Sequence, residues 1–364
     1  MHVLPSSTLF EAVGAGVTAT LAVAGAMPDV LQTVGDWFVE FAVLGALDPL
    51  NPYLEKAGKD WVANLAKQNM VPWKGNIYLL PVTASAYLLL YNERKLEEAG
   101  FSGPPKTWED LEKMGPKLTN PAKNSYCFAS SMAVVSPYKG PINEIWPLIY
   151  QCNDTVMKGG KCNLNSPASI RALKFWLHLV NDLKIYAPGV LTNIDKDQVE
   201  AFTSEVTAMI ANSPVFVRVA QQRNPKLKLG VAPPPEGETY GTFGAGWNNT
   251  LCSTGKNKDA AWEFMRWLSS PEGSALVSMA AWHQPGNLKA DMSPLVQREP
   301  RFQVALNVAK RGRVFAEVAG MPECTNLLRI QIEQIHEAAN KRKTPEAAME
   351  SATAEWNKVL AKYA

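Results

Sequence analysis

The chain has 364 residues, enough for two or three domains of ordinary size, each with its own hydrophobic core. Hydrophobic residues make up 46% and charged residues 19% of the sequence, as in folded globular proteins. The formal net charge is only +2, and lysine and arginine are spread along the chain. Because a phosphate backbone requires a concentrated basic surface, nucleic-acid binding is not expected.

The most apolar stretch is residues 12–27, which consists mainly of alanine, glycine, valine and threonine. It falls short of the roughly 20 strongly apolar residues that a membrane-spanning helix needs. Glu11 precedes it and no basic segment does, which disfavours a signal peptide without excluding one. The sequence therefore predicts a small-residue helix packed inside a lobe, with a signal-peptide core as the alternative.

Short apolar strands alternate with amphipathic helices along the rest of the chain, a pattern typical of α/β layers. The predicted strands cover residues 30–34, 87–91, 207–211, 227–232 and 250–253. Predicted helix starts carry a serine or threonine cap, and most have a proline at the first helical position. These caps are Thr107, with Asp110 completing a capping box, Ser166, Ser270 and Thr344.

Five cysteines are present. Cys152 and Cys162 flank a polar loop that contains two consecutive glycines, which predicts a hairpin closed by a disulfide. The alternative, two reduced thiols, remains open. A bridge would indicate an oxidising compartment. Cys252 lies in a predicted buried strand and is interpreted as a core residue.

Motifs for catalysis, metal binding or cofactor binding are absent from the sequence. The four histidines form no HExxH motif, and there is no nucleophile elbow and no phosphate-binding lysine loop. Acidic pairs such as Asp195 with Asp197 are explained by the preference of carboxylates for a helix start. The sequence predicts a protein that is not an enzyme, with no metal and no cofactor.

Eleven tryptophans are present, and four of them lie where a helix or strand gives way to a loop. Indole faces suit the apolar surface of sugar rings, so such residues are candidates for a binding cleft; packing in the core is the alternative. These four are Trp37, Trp73, Trp247 and Trp282.

Residues 76–111 have the order strand, short charged helix, proline-bounded turn and capped helix. This order resembles the first interlobe crossover of the extracytoplasmic solute-binding proteins that serve ABC importers, in the branch of maltose-binding protein. Five more pieces follow the family's order. They are residues 28–30 with 35–38 and 44–47, residues 146–149, residues 201–202 with 208–210, residues 230–233, and residues 258–268 with 270–272.

The resemblance implies an α/β, two-lobe periplasmic-binding-protein fold of type II, with lobes joined by crossover strands and the ligand between them. The first lobe is expected to comprise residues 1–83 and 249–294, and the second residues 84–248 and 295–364. The likeness starts near Pro28, so the family's opening strand and first helix are expected to be missing and the first lobe incomplete at its start.

The resemblance also assigns cleft positions. Asp36 falls where the family uses an aspartate on sugar hydroxyls, and Ser85 where it has a cleft glutamate. Ser213-Pro214-Val215 replaces the family's Gly-Pro-Trp, which argues against a maltodextrin ligand. With the aromatic candidates included, the predicted ligand-binding residues are Asp36, Trp37, Ser85, Asn143, Trp247, Trp282 and Arg329.

The function implied by the resemblance is binding of a sugar or oligosaccharide and its delivery, by lobe closure, to the permease subunits of an ABC importer. The protein is expected to be monomeric and periplasmic or extracellular, either free or lipid-anchored. One alternative is a phosphorylated polyol, such as a glycerol 3-phosphate-like ligand, held by Arg301, Arg313 or Arg329. A carbohydrate hydrolase and a relative that binds no ligand are further alternatives.

Overall fold

The computed structural model describes residues 27–363 apart from residues 36, 136–139, 312, 313, 316, 318 and 319. The helix predicted over residues 12–27 lies outside this part of the chain except for its last residue. Two predicted ligand-contacting residues, Asp36 and Arg313, also lie outside it.

Strands and helices alternate through the described residues, which confirms the predicted α/β class. The strands are β1 (Val30–Thr33), β2 (Leu47–Asp48), β3 (Leu80–Pro81), β4 (Thr83–Ala84), β5 (Leu88–Asn92), β6 (Tyr126–Phe128), β7 (Met157–Lys158), β8 (Lys161–Cys162), β9 (Thr207–Asn212), β10 (Leu229–Ala232), β11 (Thr242–Phe243), β12 (Asn248–Cys252), β13 (Gln284–Pro285) and β14 (Val314–Phe315).

The α-helices are α1 (Phe38–Val43), α2 (Asn51–Ala57), α3 (Lys59–Val62), α4 (Glu93–Glu98), α5 (Trp108–Leu118), α6 (Trp146–Gln151), α7 (Pro167–Leu177), α8 (Asp195–Thr203), α9 (Val215–Arg223), α10 (Lys258–Leu268), α11 (Pro271–Ala281), α12 (Ser293–Arg298), α13 (Phe302–Lys310), α14 (Cys324–Ala339) and α15 (Pro345–Leu360). One turn of π-helix, Pro141–Ile145, leads into α6, and another, His178–Asp182, extends α7.

The predicted caps are confirmed. Thr107 and Asp110 form a capping box at the start of α5. The side chains of Ser166, Ser270 and Thr344 accept backbone N–H groups at the starts of α7, α11 and α15. Each cap satisfies a helix-terminal N–H that has no partner inside its own helix, which contributes about 1 kcal/mol to stability.

The first lobe is built on a sheet in the order β1-β12-β2, with β3 pairing on β12 as well, and every pair is antiparallel. Neighbouring residues of one strand face opposite sides of a sheet. Leu80, the first residue of β3, packs in a core with α2 and α10, and Leu79, directly before the strand, packs in a separate core with α1.

The second lobe is built on a sheet in the order β10-β5-β9-β6, in which only the β6–β9 pair is parallel. Leu88 and Leu90 face a core with α9 and α13, and Leu89 faces a core with α5. A third core joins α6 and α7 to the C-terminal helices α14 and α15 through buried Trp146, Trp176 and Trp356, among others.

Two chain segments are here called the crossing segments. Residues 80–92 run from β3 in the first sheet to β5 in the second, and residues 242–252 run from β11, which pairs with β14, to β12 in the first sheet. They pair antiparallel, with Pro81 opposite Asn248 in the first sheet and Ala86 opposite Gly244 between the sheets. A third segment, β13, pairs with β4 beside them. The lobes are therefore joined by hydrogen-bonded strands.

The lobe boundaries predicted from the sequence stay a prediction. The one after residue 83 falls inside the first crossing segment, and the one after residue 248 falls inside β12. Trp282 and Met292 precede the boundary predicted after residue 294, yet they pack in the core of the second sheet.

The predicted disulfide between Cys152 and Cys162 is wrong: all five cysteines are free and buried. The predicted hairpin forms as β7 and β8, but its register places Cys162 opposite Met157. Cys152 instead follows the last residue of α6. Burial raises the pKa of each of the two thiols to about 11, so both are protonated at neutral pH.

Because no covalent loop constrains the unfolded chain, a reducing agent is expected to leave the melting temperature unchanged. Unfolded protein that was never exposed to reductant should titrate with a thiol reagent as five free thiols. Three thiols, together with a lower melting temperature after reduction, would show that a bridge forms.

Candidate functional site

The two lobes meet where the crossing segments pass between the sheets, and polar side chains collect there. The hydroxyls of Ser85 and Ser213 are 2.9 Å apart and hydrogen-bonded, and both residues are buried. The carbonyl of Ser85 accepts a hydrogen bond of 2.8 Å from the backbone N–H of Ala245 on the other crossing segment. The structure therefore places Ser85 at the junction of the lobes.

Trp247 lies on the second crossing segment and is half-buried. Its backbone N–H donates to Oγ1 of Thr83 at 3.0 Å, and its carbonyl accepts from the backbone N–H groups of Val82 and Thr83. Trp247 is thus bonded through its backbone to the segment that carries Ser85.

The end of the first sheet presents further candidates. Thr33, the last residue of β1, pairs with Asn248, the first residue of β12. Trp37 is half-buried against the first-lobe core at the start of α1. The Oδ1 atom of Asn248 is buried and has no hydrogen-bond partner among the described residues. Trp247 therefore directly precedes one of two strand ends that lie side by side, and Trp37 follows the other in sequence.

Asn143 lies in the second lobe and lines a cavity of about 70 Å³. The cavity lies between β5 and β9 on one side and Trp108 and Leu148 on the other. Both amide atoms of Asn143 are buried without a partner in the part of the chain that the structure describes. A water molecule needs roughly 10–15 Å³ of such space, so the cavity has room for a few waters but not for an oligosaccharide.

Glu144, next to Asn143, also lines this cavity. Its carboxylate accepts hydrogen bonds of 2.9 Å from the backbone N–H of Ser131 and from Nε1 of Trp176. Burial nevertheless raises the pKa of this carboxyl from its ordinary 4.5 to about 7, because removal from water disfavours the charged form more than the two donors favour it.

Two predicted site residues lie elsewhere. Trp282 is 4% exposed and packs edge-on against Phe302 in the second-lobe core, with ring centroids 4.9 Å apart. The prediction that it faces a cleft is wrong, because long-range packing closes over the loop that follows α11. Arg329 lies on an exposed face of α14, where it binds Glu333 and Asn326. Among the described residues, the hydrogen bonds of its guanidinium go to these two neighbours on its own helix.

Two residues at the junction, Thr83 and Asn248, were missed by sequence reasoning, and Ser213 was considered only as part of the segment that replaces the family's Gly-Pro-Trp. Thr83 and Ser85 interrupt an otherwise apolar strand, and that interruption is the signal that could have identified Thr83. Within the described residues no group of three histidine, cysteine or acidic side chains could hold a metal ion. No helix in the same part of the chain is long and apolar enough to span a membrane.

Glu144 gives a prediction about stability and pH. Its folded-state pKa of about 7 exceeds its ordinary 4.5, so the unfolded chain loses this proton first as pH rises. The free energy of unfolding should therefore fall between these two pH values, by on the order of 3 kcal/mol from this group.

Glu144→Gln cannot ionise and should lack this contribution. It is expected to be less stable than the wild type at pH 4, because one of the two donors loses its acceptor. The difference in stability should narrow toward pH 7. Denaturant titrations at several pH values measure this, and parallel curves for the two proteins would contradict it.

Two α/β lobes joined by paired crossing strands, with polar side chains at their junction, define a type II periplasmic-binding-protein fold. The fold matches the structure of an ABC transporter solute-binding protein from Thermotoga lettingae bound to α-D-tagatose. The TM-score is 0.82 at 22% identity, covering 95% of this chain and 88% of that one.

The model of the bacterial extracellular solute-binding protein family matches residues 9–275. The chain belongs to this family, which confirms the family predicted from its motifs. A binding protein of Brucella abortus is 24% identical over 278 residues, and the maltotriose-binding protein of Pyrococcus abyssi is 25% identical over 284. Each alignment covers 76% of this chain, and the chain spans 64% and 58% of the lengths of these relatives.

Proposed function

We propose that this protein is the substrate-binding component of an ABC importer and that it binds a sugar or oligosaccharide between its lobes. The observation that carries the proposal is the lobe junction itself. One crossing segment carries the half-buried indole of Trp247, and the other carries Ser85, whose hydroxyl is hydrogen-bonded to that of Ser213 directly after β9. Relatives named for maltotriose binding and solved with tagatose support a carbohydrate as the ligand.

The junction offers the two kinds of group that a sugar needs. Trp247 and Trp37 supply apolar faces for the C–H surface of a ring. The hydroxyls of Ser85 and Ser213 donate and accept, as sugar hydroxyls do, so their mutual hydrogen bond can be exchanged for bonds to a ligand. The buried Oδ1 of Asn248 is an acceptor, and the family resemblance adds the carboxylate of Asp36.

Binding at this position couples to closure. A ligand shifts a two-state equilibrium only through contacts that are better in one state than in the other. A sugar touching Trp247 at the first sheet and Ser213 at the end of β9 makes its full set of contacts only when the lobes are closed. The closed form is the one that would dock on the permease subunits, outside the cytoplasm, as a monomer.

The charges favour a neutral ligand over a phosphorylated polyol. Arg301 binds the carbonyl of Leu229 and the carboxylate of Glu299. Arg329 is likewise occupied by Glu333 on its own helix. Among the described residues, the two arginines considered for phosphate are therefore already bound within the protein.

Trp247→Ala is expected to weaken sugar binding at least about tenfold, equivalent to about 1.4 kcal/mol, because the ring face is lost. Trp267→Ala is the matched control, since Trp267 is 44% exposed on α10 in the first lobe. Titration calorimetry against a panel of mono- and oligosaccharides measures both dissociation constants. A response to phosphate esters alone would overturn the carbohydrate proposal, and equal affinities for the two variants would remove Trp247 from the site.

Arg329→Gln should leave the dissociation constant for the bound sugar within about twofold, because the guanidinium serves an exposed ion pair that contributes little. The same titrations measure this. A tenfold loss of affinity would return Arg329 to the site and would favour an anionic ligand. Incubation of the protein with glycosides should leave them intact, and release of sugar would instead indicate a hydrolase.

A further inference from the structure

The pairing of the crossing segments contains one irregularity. Pro81 pairs with Asn248, and Ala86 pairs with Gly244. Between these pairs lie residues 82–85 on one segment and only residues 245–247 on the other, so the first segment has one residue more. An extra residue on one strand of an antiparallel pair is a β-bulge.

Hydrogen bonds locate the bulge at Val82 and Thr83. Both backbone N–H groups donate to the single carbonyl of Trp247, at 2.9 and 3.2 Å respectively. Val82 and Thr83 on the first segment therefore lie opposite a single residue, Trp247, on the second. A bulge bends its strand and re-aims a side chain, and bulges are frequent next to functional sites.

The bulge turns the hydroxyl of Thr83 onto Trp247. Oγ1 of Thr83 accepts the backbone N–H of Trp247 at 3.0 Å, so Thr83 bonds both polar backbone groups of the tryptophan. Thr83 is itself fully buried, and its carbonyl accepts from Nδ2 of Asn69 at 3.0 Å. Neither residue can shift without breaking this set of bonds.

Glycine at position 246 permits this close approach. A Cβ atom there would lie 2.1 Å from the carbonyl oxygen of Thr83 and 2.6 Å from Nδ2 of Asn69. Real Cβ atoms do not come so close to backbone oxygen, so any other residue would push the segments apart. Gly246 is therefore part of the same arrangement.

The other side of the bulge is fixed to the third segment. The carbonyl of Val82 accepts from the hydroxyl of Ser274 at 2.8 Å and from the backbone N–H of Gly286 at 3.1 Å. The bulge is thus bonded on one side to α11 and to the residue after β13, and on the other side to Trp247.

We propose that Thr83, through this bulge, is a positioning residue that fixes Trp247 at the lobe junction in the orientation required for binding. Its effect on affinity rests on the proposed function, whereas its effect on Trp247 does not. Only a side chain with an acceptor oxygen on Cβ can receive the N–H of Trp247 at this position, so serine can replace threonine and valine cannot.

The test compares Thr83→Val, which keeps the shape and loses the acceptor, with Thr83→Ser, which keeps the acceptor. Thr250→Val is the matched control, because Thr250 is equally buried in β12 and its hydroxyl bonds the carbonyl of Leu31 instead. Each variant is made twice, once with Trp247 and once with Trp247→Phe. The difference between the two fluorescence signals then comes from the indole of Trp247.

Without ligand, the acrylamide quenching constant of the Trp247 indole is expected to rise at least twofold in Thr83→Val. It should match the wild type in Thr83→Ser and Thr250→Val. With the sugar that the wild type binds, Thr83→Val should weaken binding about tenfold, and this loss should disappear in the Trp247→Ala background.

Unchanged quenching and affinity in Thr83→Val, with only a lower melting temperature, would overturn the proposal and leave Thr83 a stabilising residue. If no sugar binds the wild type while quenching still rises in Thr83→Val, the positioning stands and the proposed function fails. Should Thr83→Val not fold, Thr83→Ala and Gly246→Ala replace it. Gly246→Ala disturbs the contact between Thr83 and Trp247 from the second segment. Quenching equal to that of the wild type in both Thr83→Ala and Gly246→Ala would overturn the proposal.

Discussion

The antiparallel pairing of residues 80–92 with residues 242–252 is the interaction on which the rest of the structure depends. The first sheet contains a strand from each segment, β3 and β12, and the pairing reaches Ala86, opposite Gly244, just before the first segment enters the second sheet as β5. Backbone groups in a buried strand must be paired, so the two lobes cannot separate at this line without exposing unsatisfied N–H and carbonyl groups. Motion between the lobes is therefore expected to bend the paired segments rather than to separate them.

The pairing of the two segments explains why polar residues such as Thr83 and Ser85 occur within an otherwise apolar stretch. Between the sheets, Thr83 and Ser85 make hydrogen bonds to groups from other segments rather than packing in a hydrophobic core. The Ser85–Ser213 pair and the Thr83–Trp247 contact satisfy their hydroxyls inside the protein. A buried hydroxyl without a partner is costly, so such positions suit groups that can exchange a protein partner for a ligand hydroxyl.

Local sequence signals were reliable where a single segment decides the outcome. The Thr107 capping box and the Ser166, Ser270 and Thr344 caps involve residues three apart, so the sequence alone identifies them. The predicted disulfide between Cys152 and Cys162 was wrong because strand register decides which residues face each other, and Cys162 lies opposite Met157. The prediction that Trp282 faces a cleft was wrong for a related reason. Its position beside a loop suggested that it was accessible, but it packs against Phe302 of α13 and is enclosed.

The sequence by itself determined the α/β class, the starts of the principal helices and the family, because caps, periodicity and ordered motifs are written along one stretch of chain at a time. Only the tertiary structure decided which polar residues meet at the lobe junction. Thr83 and Trp247 are separated by more than 160 positions in sequence. The bulge that joins them exists only once two distant segments pair with one residue in excess, and no local pattern encodes that register.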